Sequence, residues 1–104
     1  MIMKFDEAAS DELVLVELGQ RLTRLRLTEG LTQAQLAEQG GLAKRTLERM
    51  EAGKSTQLLT LIRVLRVLGL LEGLEFIAPV EEDNPSRQRA TSRKAAVTDG
   101  EPRT

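Results

Sequence analysis

Residues 31–54 read Leu-Thr-Gln-Ala-Gln-Leu-Ala-Glu-Gln-Gly-Gly-Leu-Ala-Lys-Arg-Thr-Leu-Glu-Arg-Met-Glu-Ala-Gly-Lys. Thr32 stands three residues before Gln35, the spacing of a capping box, so a short helix is predicted over 33–39. Gly40-Gly41 stops it, and a second short helix is predicted over 43–51, broken by Ala52-Gly53-Lys54. Leu36, Ala37, Leu42, Leu47 and Met50 fall where they would pin the second helix across the first, leaving Lys44, Arg45, Glu48 and Arg49 outward. This layout lets a helix enter the major groove of duplex DNA with its N-terminal residues on base edges. A plain pair of antiparallel helices needs only the apolar residues. It does not need Gln33 at one helix start and three cations along one exposed face of the next.

Upstream, Leu15, Leu18, Leu22 and Leu25 recur at three- and four-residue steps and predict an amphipathic helix over about 12–28, ended at Glu29-Gly30. Downstream, Ser55 or Thr56 is expected to cap a helix reaching about residue 68, with Leu58, Leu61, Ile62, Leu65 and Leu68 on its core face. Gly69 closes it, and a last short helix over 70–77 stops before Pro79. Leu59, Val64, Val67 and Leu71 are then surplus, together with Leu74. A monomer seldom exposes so much apolar surface, so these five are expected to line a dimer interface.

The 104 residues have room for one compact domain. It is placed at 12–78, between a flexible acidic arm at 1–11 and a basic tail at 79–104. The tail keeps Val80 and Val97 as its only large aliphatics and is expected to be disordered alone. With no cysteine and no histidine, neither disulfides nor thiolate metal sites arise, and no cofactor or metal is expected. The sequence shows no phosphate loop and no paired acids with an evident site, so no enzyme is expected. Phe5 and Phe76 are the only aromatics, too few for the stacking platforms of single-strand or RNA binders. No signal peptide or membrane span is evident, and a cytoplasmic protein is expected. The net charge of −1 hides a strong partition. Residues 21–66 hold nine Lys/Arg against four Glu, and 86–104 hold five bases against two acids. Residues 1–20 hold one base against five acids, and 67–85 hold five acids and no base. The basic segments are where phosphate would be met. Arg21 and Arg24 in the first helix suit phosphate contact or plain solvated surface about equally.

The segment resembles the helix-turn-helix of the phage-repressor (Xre/Cro-like) family. Thr32-Gln33, Leu36-Ala37, Gly41, Thr46-Leu47 and Glu51-Ala52-Gly53 fall in register with it, and the likeness covers about residues 12–70. It implies an all-α, five-helix, lambda-repressor-like domain that binds double-stranded DNA. It also implies that Ala43, Lys44, Arg45 and Arg49 face the bases, that Gln33, Thr46 and Lys54 meet the backbone, and that Arg26 pairs with Glu51. Two positions depart from the family pattern: Gly40 replaces the usual Ala, and Ala43 replaces the Ser or Thr that caps the recognition helix, at a cost of about 1 kcal/mol. Residues 61–72, with the proline and Arg-rich tail beyond, are similar to the HipB-like branch. Those proteins are antitoxins that pair with a HipA-like serine/threonine kinase toxin and repress their shared operon. The expectation is therefore a homodimeric repressor of a palindromic operator, acting on the nucleoid as antitoxin and autorepressor. A solitary regulator without a toxin and a protein-binding adaptor are the alternatives. For Arg87, Arg89, Arg93 and Lys94 in the tail, nonspecific DNA grip, toxin binding and simple solubilisation all stay open.

Overall fold

The computed structural model describes residues 4–81. Their regular structure is all helical: α1 (Asp11–Thr28), α2 (Gln33–Gly40), α3 (Lys44–Glu51), α4 (Leu58–Val67), a 3-10 turn at Leu71–Gly73 and α5 (Leu74–Ile77). Ser10 starts α1, its hydroxyl accepting from the Leu13 N–H at 3.2 Å. Thr32 and Gln35 form the full capping box at the head of α2, with bonds of 3.0 and 2.9 Å. Ala43 heads α3 with no side-chain cap, as the departure at that position implies.

The core of residues 1–72 gathers one or two side chains from each helix: Leu22 of α1, Leu36 and Ala37 of α2, Leu47 and Met50 of α3, Val64 of α4, and Leu68 just after it. Fully burying each large aliphatic stabilises by roughly 1.5–3 kcal/mol. α2 packs on both α3 and α4, and α1 packs on α3. The close approach of α1 depends on Gly19, where an added Cβ would lie 2.6 Å from the Glu51 carbonyl oxygen. Gly53, at φ +84°, ends α3 against Val16 and likewise leaves no room for a Cβ.

Four expectations need correction. Val64 is no interface residue, because it is wholly enclosed in the core. Leu58 is 69% exposed rather than inward, since α4 turns the row Thr60, Val64 and Leu68 toward the core. Neither Ser55 nor Thr56 caps α4; Gln57 takes the cap position without a side-chain bond. On α1, Leu25 is 39% exposed while Leu22 and Arg26, four residues apart, are buried, because the inner line of the helix runs through those two and leaves Leu25 on its flank. The last segment is a 3-10 turn followed by one α-helical turn, closed by a 2.8 Å bond from the Ala78 N–H to the Leu74 carbonyl. A separate unit begins at Gly73; in it Leu74 is half-buried, and Phe76 and Ile77 are exposed. The tail cations Arg87, Arg89, Arg93 and Lys94 lie outside the described residues. No described helix is long and apolar enough to cross a membrane.

Candidate nucleic-acid interface

α3 is an eight-residue helix whose inner row is Leu47 and Met50, both buried. At 100° per residue the row opposite is Arg45 and Arg49, one helical turn apart on the outermost line. Both are exposed and have no ion-pair partner among the described residues. Ala43 and Lys44, at the head of the helix, are exposed too, and Thr46 is half-buried on the flank. Lys44 shares its charge with Glu48 across 3.6 Å, a surface pair of the kind worth a few tenths of a kcal/mol. The free positive charge of this face therefore sits on the two arginines.

The end of α3 sets where Lys54 stands. The Gly53 N–H donates to Met50 and the Lys54 N–H to Arg49, each at 3.0 Å, the two bonds of a Schellman motif. Lys54 emerges exposed and without an ion-pair partner among the described residues, one residue past the turn. The same motif ends α2: the Gly41 N–H reaches Glu38 at 3.2 Å and the Leu42 N–H reaches Ala37 at 2.8 Å, with Gly41 at φ +69°.

Behind α3 a single guanidinium ties three segments. Arg26 holds Glu51 with two donors, Nε to Oε2 at 2.7 Å and Nη2 to Oε1 at 3.1 Å, and its Nη1 donates to the Leu31 carbonyl at 2.7 Å. The expected Arg26–Glu51 pair is thus present, with both side chains over nine-tenths enclosed. Gln33 joins it, its Nε2 donating to Glu51 Oε1 at 3.0 Å. Gln33, expected at the DNA backbone, therefore keeps only its second amide hydrogen for a phosphate. Burial by itself would raise the Glu51 carboxyl; the hydrogen bonds from Arg26, Gln33 and Thr23 outweigh it and hold the group below the usual carboxylate range.

Sequence reasoning missed two features. Arg21 and Arg24 both turn to Glu17, at 2.8 and 3.6 Å, and Arg21 also stacks 4.1 Å above the Phe5 ring. Arg21 is thereby engaged inside the protein, which argues against a phosphate contact for it, whereas Arg24 is 57% exposed and only loosely paired. The i, i+4 spacing of Glu17 and Arg21 was the available signal. The second is Arg63 of α4, whose Nη1 donates to the Gly41 carbonyl at 3.1 Å. No local pattern marks a contact across 22 residues.

No group of three or more metal-ligating side chains occurs among the described residues. Residues 22–74, just over half of the chain, match the family model of a helix-turn-helix family, from the middle of α1 to the first residue of α5. No curated protein matches the chain.

Proposed function

Since the chain belongs to this helix-turn-helix family and is a DNA-binding regulator of transcription, we propose that it is a repressor that reads a palindromic operator as a homodimer. The observation that carries the reading is the pair Arg45 and Arg49, exposed and without an ion-pair partner among the described residues, opposite the buried Leu47 and Met50. Arginine on base edges favours guanine, whose O6 and N7 match the guanidinium fork. Gln33 and Lys54, at the start of α2 and just past α3, suit the backbone on either side. The protein acts on the nucleoid in the cytoplasm and performs no catalysis; the groups this face presents are those of recognition.

Selection of bound duplexes from a random pool tests this. In competition binding, Arg45→Ala and Arg49→Ala each remove one bidentate grip on a base, which costs about 1–3 kcal/mol and relaxes preference at one base pair. Gln33→Ala and Lys54→Ala weaken all sequences alike and flatten the salt dependence. An unchanged operator preference in the Arg45→Ala, Arg49→Ala double variant would end the assignment.

The likeness of residues 61–72 to the HipB-like branch supports one extension, that the operon repressed encodes a HipA-like kinase toxin which this chain neutralises. A kinase-like neighbouring gene, and co-purification of its product with the full chain, test the extension. With neither, the chain stands as a solitary regulator.

A further inference from the structure

α3 has an anchored end and a loosely held one. Met50 seats its C-terminal half in the core, Leu47 fixes the end of its first turn, and the Schellman bonds at Gly53 and Lys54 finish it. Its first two residues have no such seat: Ala43 offers no cap, and Lys44 and Arg45 are exposed. What precedes it is the Gly41–Leu42 peptide, joined to the residue with the least restricted backbone in the turn. The Leu42 N–H of that peptide donates to Ala37 at 2.8 Å, and the Gly41 carbonyl receives Arg63 Nη1 at 3.1 Å. Both polar groups of one peptide plane are therefore held, one by α2 and the other by α4. The α4 backbone is close enough for this, since a Cβ on Gly40 would stand 3.4 Å from Val67 Cγ2 and 3.7 Å from the Arg63 carbonyl. The Leu42 side chain packs on the core, so a turn of this plane would pivot there and redirect the head of α3.

We infer that Arg63 is a positioning residue for base recognition: by holding the Gly41 carbonyl it fixes the angle at which Lys44 and Arg45 are presented to DNA. The inference rests on the reading that α3 lies on base edges. Its effect is graded along the helix. Lys44 and Arg45 lie next to the clamped peptide and depend on it, whereas Arg49 flanks the buried Met50 and does not. Bidentate base contacts tolerate little displacement, because hydrogen bonds weaken steeply once bent or stretched.

The test is a selection and competition experiment with the full chain. Profiles of Lys44→Ala, Arg45→Ala and Arg49→Ala first show which base pairs each residue reads. Arg63→Ala is then expected to drop about five-fold in preference, the worth of one ordinary hydrogen bond. The drop falls at the base pairs assigned to Lys44 and Arg45, with Arg49 positions and the salt slope unchanged. Arg63→Lys, which keeps a cationic donor, restores most of it. Uniform weakening with a shallower salt slope would make Arg63 a phosphate contact and overturn the inference. So would an unaltered profile, or a variant that is unfolded at the assay temperature. If the unmodified protein binds DNA without any sequence preference, the base-reading premise fails, and the inference with it; preference retained by Arg63→Ala at every position defeats the inference alone.

Discussion

Glu51 is a carboxylate taken out of water and kept ionised by its neighbours. Its folded-state pKa lies below the ordinary value, so its charged form stabilises the fold fully above the unfolded pKa, and that contribution is lost as pH falls through the folded one. The melting temperature is expected to drop as pH descends through the carboxylate range, about 4.3 for an unperturbed Glu, and below it. Glu51→Gln should be less stable at neutral pH and flatter across that window; an identical pH profile would remove the carboxylate from this role. Removing one partner of an enclosed ion pair leaves the other charge stranded, so Arg26→Ala is expected to cost about 3–5 kcal/mol in denaturant melts. Replacing both, as Arg26→Met with Glu51→Leu, should cost less than Arg26→Ala alone. The pair itself was legible through family resemblance. The bonds from Gln33 to Glu51 and from Arg26 to the Leu31 carbonyl were not, because they arise only once α1, α2 and the end of α3 converge.

That convergence requires α1 to run against the last carbonyls of α3. An added Cβ on Gly19 would stand 2.6 Å from the Glu51 carbonyl oxygen and 2.7 Å from that of Met50, and backbone cannot give way as a side chain would. Gly19→Ala is therefore expected to destabilise by about 1–3 kcal/mol, despite the better helix propensity of alanine. Melts of the variant decide this, and a stabilised Gly19→Ala would show the approach to be looser than described. The leucine periodicity of α1 marked its inner side at Leu18 and Leu22, but no single-helix pattern reveals that a neighbour needs a gap at Gly19. Element boundaries set by local chemistry were legible: the Thr32–Gln35 capping box, and the stops at Gly41 and Gly53. α4 was harder. Between residues 58 and 71 apolar side chains lie on nearly every side, so periodicity does not choose the inner row, and packing selected Thr60, Val64 and Leu68. Val64 thereby left the surface that the sequence had assigned to a partner.

Among the residues described for α4, what remains outward and apolar is its beginning, Leu58 and Leu59, the latter 51% exposed. Val67 is half-buried against the core, so substitution there would confuse folding with assembly. Leu59 avoids this difficulty. A two-fold dimer would set two copies of α3 about one DNA turn apart, ~34 Å, on the two halves of a palindrome. Binding of the second half-site is then effectively intramolecular, an advantage of the order of 10²-fold or more over a lone domain. Leu59→Glu places a charge on the proposed interface without touching α3 or the core. It is expected to melt close to the unmodified protein, to sediment as a monomer, and to bind an isolated half-site unchanged while weakening about 10²-fold on the full palindrome. A fall in half-site affinity as large as that on the palindrome would trace the defect to the fold or to the DNA face. An unmodified protein that sediments as a monomer at micromolar concentration would rule out a stable dimer before DNA is met, and with it the apolar start of α4 as its seat.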